Sequence, residues 1–216
     1  AIQLNYGFGI KECRVAIDQI EADALILHLN PLQEALQPEG QTKFKDLAKK
    51  IEHICRQIEV PVIVKEVGWG IDAAMAGKLL SLGVAAIDVA GAGGTSWSQV
   101  EKYRSRDDSA YRIAETFIDW GIPTADCVVE IRKENQVMPL IASGGITKGV
   151  EGAKAIALGA NLFCIARPFL VAAKNGTEAV VKSIHEIQRT LIIAMFSAGA
   201  PDLKALSTTT LIQRKP

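Results

Sequence analysis

The chain has 216 residues, with Lys plus Arg equal to Asp plus Glu at 24 each, so no net charge draws it towards nucleic acid or an anionic membrane. Apolar residues make up 49% and aromatics only 6%, a mix of Ala, Ile, Leu and Val that suits a buried parallel sheet covered by helices. No stretch is long and apolar enough to span a bilayer, and the first residues carry no signal-peptide pattern.

In chain order, six aliphatic runs read as strands: Ala1–Asn5, Ala22–Leu29, Val60–Val67, Ala85–Ala90, Leu140–Ser143 and Leu162–Ala166. Between them lie segments with apolar spacing near the helical period. Lys43–Ile58 is the clearest, with Phe44, Leu47, Ile51, Ile54 and Ile58 in one stripe. Further helices are expected at Asp72–Leu82, Ser109–Trp120 (closed by Gly121), Ala125–Lys133 and Gly149–Leu158. A long last helix is expected to open on Thr177 as N-cap and to run to about Ser197, before Gly199. Ser105–Ser109 reads as a polar loop and Leu206–Pro216 as a polar tail, with no linker, so residues 1–216 form a single domain.

Strands alternating with helices imply a parallel sheet with right-handed crossovers. An internal repeat supports this. Residues 73–90 align without a gap on residues 149–166, matching Lys78 with Lys154, Leu82 with Leu158, Gly83 with Gly159 and Ala90 with Ala166. Each copy is a helix, a Leu-Gly turn and a strand, as in a (β/α)₈ TIM barrel of equivalent units. A doubly wound open sheet ranks second, because no G-x-G-x-x-G follows an early strand. A barrel typically takes about 250 residues. The chain also lacks an initiating Met, and the N-terminal strands are expected to be missing from it.

In a barrel, chemistry sits at the C-terminal ends of the strands. The second run ends in His28-Leu29-Asn30-Pro31-Leu32-Gln33-Glu34, where His28 and Asn30 point to one side by strand alternation. This is either a polar cap over the core or a ligand cluster, with Glu34 a candidate for Mg²⁺, which takes one or two carboxylates plus phosphate oxygens and water. Lys65 interrupts the third run and needs an anionic partner, either an acid such as Asp88 or Glu66, or a bound anion or reduced cofactor. Gly91–Gly94 with Thr95 and Ser96 make a Gly-rich turn, itself a weak signal. Ser143-Gly144-Gly145-Ile146-Thr147 and Ala166-Arg167-Pro168 follow the last two strands, where barrels commonly bind phosphate, and Arg167 adds a fork-shaped cation. Trp69, Trp97 and Trp120 read as packing residues, His53 and His185 as solvated, and the four scattered cysteines as small buried hydrophobes in a reducing cytosol.

The segments ADALILHLNPLQEALQPEG, PVIVKEVGWG, DVAGAGGTSW, IASGGI and CIARPFL, in this order, resemble the successive signatures of type 2 isopentenyl-diphosphate isomerase. HLNPLQE and VAGAGGTSW are the distinguishing ones; the SGG loop is shared with other FMN barrels. The resemblance implies a cytoplasmic enzyme interconverting isopentenyl and dimethylallyl diphosphate, with FMN reduced by NADPH, with Mg²⁺, and as a homotetramer or homo-octamer. It implies that His28, Asn30 and Gln33 bind substrate and that Glu34 binds the metal. Lys65 and Thr95 would contact the flavin, with Gly145, Ile146, Thr147, Ala166 and Arg167 at its phosphate. Lys65 and, secondarily, His28 would be the catalytic side chains. The partner is a small-molecule diphosphate, not nucleic acid or membrane. The family's N-terminal segment has no counterpart here; it would supply two further strands, and without them the sheet has open edges, so activity of the isolated piece is doubtful. Two alternatives remain open. One is another FMN-dependent barrel oxidoreductase of the 2-hydroxy-acid oxidase or dehydrogenase type. The other is a non-catalytic FMN- or phosphate-binding module.

Overall fold

The structure, a computed structural model, describes residues 1–212. Its elements in chain order begin with a 3₁₀ turn at Ile2–Asn5, α1 (Ile10–Gln19) and β1 (Leu25–His28). Next come α2 (Pro31–Leu36), α3 (Leu47–Gln57), β2 (Val62–Lys65), α4 (Ala73–Ser81) and β3 (Ala86–Asp88). The middle of the chain holds α5 (Trp97–Arg104), α6 (Asp108–Glu115), α7 (Thr124–Glu134) and β4 (Leu140–Ala142). The last third holds α8 (Gly149–Ala157), β5 (Leu162–Phe163), α9 (Arg167–Ala173), α10 (Thr177–Ser197) and α11 (Leu203–Ser207).

All strand pairs are parallel and the sheet order is β1-β2-β3-β4-β5. Sequential winding in one direction is the topology of the (β/α)₈ barrel, whereas a doubly wound sheet reverses its order. The register places His28, Lys65, Asp88, Ile141 and Leu162 in one row across the five strands. Side chains alternate along each strand. Leu27, Val64, Ile87 and Leu140 are therefore buried against the helices, while the row that begins with His28 lines the opposite, concave face.

The helix-side core explains the elements that the periodicity predicts. Leu47, Ile51 and Ile54 of α3 are buried, as are Ala76 and Leu79 of α4 and Cys127, Val128 and Ile131 of α7. Each fully buried Ile or Leu contributes about 1.5–3 kcal/mol. The two repeated Leu-Gly turns form alike. Gly83 (φ +90°) and Gly159 (φ +114°) take the left-handed position, and their amides donate to Leu80 and Ile156. Below the sheet, the Arg132 guanidinium donates to the carbonyls of Gly159, Asn135 and Met138 and to Asn161 Oδ1, fastening α7 to both following turns.

Several expectations are corrected. Ala1–Asn5 is not a strand. It makes a 3₁₀ turn with Ile2 and Leu4 buried, so among the described residues five strands form rather than six, each shorter than its apolar run. Ser109–Trp120 is helical only from Asp108 to Glu115, capped by Asp107, and the loop before it shrinks accordingly. Gly176, not Thr177, precedes the first turn of α10, with no side-chain cap. The tail read at Leu206–Pro216 begins inside α11, where Leu206 is buried; residues 213–216 lie outside the described part. Trp97 and Trp120 are exposed, Trp120 with its ring edge-on to Phe117, and of the three only Trp69 is buried. Cys13 and Cys127 are buried, but Cys55 is half-buried and Cys164 exposed. His53 and His185 are exposed, as expected. α1, α2, α5, α9 and α11 were not expected. Among the described residues no helix is long and apolar enough to cross a membrane.

Candidate active site

The mouth is formed where the strands end. After β1, Asn30 precedes the first turn of α2 and Pro31 occupies its first position, where a missing amide costs nothing. The short α2 brings three predicted residues together. Asn30 Nδ2 donates to Glu34 Oε1 at 3.0 Å and to Gln33 Oε1 at 3.3 Å. Glu34 Oε2 accepts the Gln41 amide at 2.6 Å, so this buried carboxylate closes the loop after α2. Asn30 Oδ1 is buried without a partner among the described residues. Gln33 turns to a residue 68 positions away: its Nε2 donates to Glu101 Oε1 at 3.1 Å, and Gln37 Nε2 reaches the same oxygen at 2.8 Å. Glu101, on α5, is buried and also paired with Arg104. It is missing from the sequence reading, since only the packing of α2 on α5 brings it to Gln33.

His28 and Lys65 are neighbours across β1 and β2. Loss of surrounding water pushes the His28 imidazole down, and the Lys65 cation pushes the same way against Glu34. It is therefore a neutral hydrogen-bonding ring at neutral pH. The Lys65 ammonium donates to the Glu66 carbonyl. The bland expectation of an ion pair with Asp88 or Glu66 is not met. Glu66 instead accepts the amides of Val67, Gly68 and Trp69 at 2.7, 2.8 and 2.7 Å, fixing the loop after β2. Asp88 accepts the Ser143 hydroxyl at 2.6 Å and the Ala90 amide at 3.2 Å. Lys65 thus forms no salt bridge among the described residues and keeps its charge for the concave face.

The two Gly-rich loops interlock. A Cβ on Gly144 (φ +101°) would stand 2.0 Å from the Gly91 carbonyl oxygen, and one on Gly145 (φ +79°) 2.6 Å from Gly93. The turn at Gly91–Gly94 is therefore explained first by backbone contact with the loop after β4. Thr124, another residue absent from the sequence reading, hangs over the same loop, its hydroxyl 2.9 Å from the Ser143 carbonyl and 2.7 Å from that of Gly144. The amides of Gly145 and Ile146 donate to no acceptor among the described residues. Thr147 differs. Its amide and hydroxyl, with the Lys148 amide, are taken by the Glu151 carboxylate at the start of α8. These donors hold Glu151 below the usual carboxylate range. Ala166 and Arg167 open α9 in the loop after β5, with the Arg167 side chain exposed and in no salt bridge among the described residues. Thr95 is exposed beside the interlocked loops.

The free amides of Gly145 and Ile146 and the Arg167 guanidinium are donors of the kind that fits a flavin phosphate, and Lys65 adds a cation on the concave face that fits a reduced ring. For a metal, Glu34 is a single carboxylate, and no group of three or more His, Cys, Asp or Glu suited to a metal gathers among the described residues. The remaining ligands of a Mg²⁺ ion would be water and substrate oxygens, which is its common habit.

The chain is 50% identical over 212 residues to the isopentenyl-diphosphate delta-isomerase of Oceanobacillus iheyensis, covering 98% of this chain and 61% of that protein. It is 52% identical over 206 residues to the protein of that name from a Synechococcus strain, covering 95% and 59%. The chain thus spans about three fifths of the length of these curated relatives. Among solved structures, a mandelate oxidase with benzaldehyde superposes with a TM-score of 0.67 at 18% identity, over 92% of this chain and 57% of its own. A lactate oxidase from Pediococcus acidilactici gives 0.66 at 20%, over 92% and 56%. At such identities these likenesses carry the barrel fold alone. The profile of the FMN-dependent dehydrogenase family matches residues 28–213, nearly the whole span from the end of β1, and the chain belongs to that family.

Proposed function

We propose that this chain forms the greater part of an FMN-dependent isopentenyl-diphosphate isomerase, which moves a double bond by adding a proton at one carbon and removing one at another. The observation that carries this reading is the junction of Asn30, Gln33 and Glu34 on one short helix, beside His28 and Lys65 on the concave face. The identity of about half to relatives named for this activity supports it.

Reduced FMN, maintained by NADPH, would supply acid and base chemistry at its ring nitrogens. The chain's residues bind, orient and balance charge. Gly145, Ile146 and Arg167 hold the flavin phosphate, with Ala166 setting the turn that presents Arg167. Thr147 shapes that loop through Glu151 rather than offering its own amide. Thr95 would contact the flavin, and the Lys65 ammonium would offset the negative charge of the reduced ring. Glu34 would hold a Mg²⁺ ion, which would supply charge neutralisation at the diphosphate. Neutral His28 and Asn30 Oδ1 hydrogen-bond to substrate, and Gln33, oriented by Glu101, positions the alkene end. Such orientation can contribute several kcal/mol, up to about 7–11 in ideal cases. The protein works in the cytoplasm as a homotetramer or homo-octamer.

The test is anaerobic conversion of isopentenyl diphosphate by the full-length protein with reduced FMN and Mg²⁺. Dimethylallyl diphosphate formed only with reduced flavin supports the reading. Tight FMN binding with no product, but with oxidation of a 2-hydroxy acid, replaces it with the oxidase reading.

A further inference from the structure

We propose that Asp88 is a positioning residue of the flavin site, tying the strand beside Lys65 to the phosphate loop and setting the charge that a bound flavin feels. The inference rests on the reading that FMN occupies the concave face. Three observations carry it. Asp88 is buried at the end of β3, in the same register row as Lys65. One of its carboxylate oxygens accepts both the Ser143 hydroxyl at 2.6 Å and the Ala90 amide at 3.2 Å, so a single side chain spans the two loops that interlock at Gly91 and Gly144. Lys65, its cross-strand neighbour, forms no salt bridge among the described residues, and its ammonium is held by a backbone carbonyl. Asp88 is thus a carboxylate at close range that partly offsets Lys65 without quenching it as a contact ion pair would.

Two consequences separate. The hydrogen bond to Ser143 holds the start of the Ser143–Thr147 loop, so it acts on the affinity for FMN in either redox state. The charge acts on the difference between states, because reduction makes the flavin more negative and a neighbouring carboxylate opposes that. Burial raises the Asp88 carboxyl above its ordinary value, and Ser143, Lys65 and the Ala90 amide pull it back only in part. Its ionised form, which can only accept, suits the two donors it meets.

The experiment measures, on the full-length protein, the FMN dissociation constant by flavin fluorescence and the two-electron midpoint potential against a reference dye. Ser143→Ala is expected to weaken FMN binding about tenfold, the effect of one lost hydrogen bond to a charged group, with the potential unchanged. Asp88→Asn retains an amide oxygen for Ser143 and Ala90. It is expected to bind oxidised FMN at least as tightly as wild type, while favouring the reduced form about tenfold, a rise of about 30 mV for a two-electron couple. Asp88→Ala should show both changes. The proposal is overturned if Asp88→Asn leaves the potential unmoved or lowered, or if Ser143→Ala binds FMN as wild type does. A wild-type protein that binds no FMN would instead overturn the flavin reading on which the proposal stands.

Discussion

The two sides of the mouth are built by different means. On the substrate side, buried carboxylates do the tying: Glu34 gathers Asn30 and Gln41, and Glu101 gathers Gln33, Gln37 and Arg104. On the side of the Gly-rich loops most of the work falls to the backbone, with Gly91, Gly93, Gly144 and Gly145 in contact and Thr124 hooked over the Ser143 and Gly144 carbonyls, while the Asp88 carboxylate holds Ser143 at the loop's start. A side-chain tie can be cut at one atom while the chain path survives. A glycine contact cannot absorb even one methyl group, since the space does not exist. The first side should therefore fail in activity and the second in structure.

The largest effect should come from Gly144→Ala. The left-handed φ costs about 1–2 kcal/mol for a residue with a Cβ, and forcing that carbon against the Gly91 oxygen adds about 1–3 kcal/mol of overpacking. A lower melting temperature together with loss of FMN retention is expected; an unchanged melt would show that the interlock is dispensable. Glu34→Gln follows. It keeps one acceptor oxygen but puts an NH₂ in place of the other, so only one of the bonds from Asn30 and Gln41 survives as it stands. It also removes the charge proposed to face Mg²⁺ and diphosphate, so isomerisation should fall at least about 100-fold, or about 2.7 kcal/mol at about 1.36 kcal/mol per decade. Flavin binding should hold, with a melt lowered by no more than one lost hydrogen bond implies. If FMN is lost as well, the two sides are not separable.

Glu101→Gln should be milder. Gln33 and Gln37 lose a charge-assisted acceptor, a bond of about 1.5–3 kcal/mol. A fall in kcat of about tenfold is expected, with the FMN dissociation constant unchanged; equal loss in kcat and flavin affinity would mean that α5 supports both sides. The smallest effect serves as the reference. His53→Ala, exposed on α3, should move stability by less than about 0.5 kcal/mol and leave activity intact.

What could be read along the chain follows from local periodicity. The apolar stripes of α3, α4, α7 and α8 and the two Leu-Gly turns require only neighbours a few residues away, so their positions were legible. So were the strand ends, and with them His28, Asn30, Glu34 and Lys65 as residues of a mouth. Ala1–Asn5 misled because a short apolar run buries equally well in a 3₁₀ turn, where Ile2 and Leu4 face the core. Trp97 and Trp120 misled because bulk and apolarity do not say whether a helix covers them.

The amino-acid sequence by itself determined the parallel alternation of strands and helices, the location of the Gly-rich loops and the residue types available at each strand end. Tertiary structure alone decided the pairings: Gln33 with Glu101 across 68 residues, Ser143 with Asp88 across 55, and Lys65 with a backbone carbonyl rather than a contact ion pair among the described residues. The reason is physical. Periodicity records which face of an element is buried, whereas a hydrogen bond between distant residues depends on register and helix packing, and those are settled only when the whole sheet assembles.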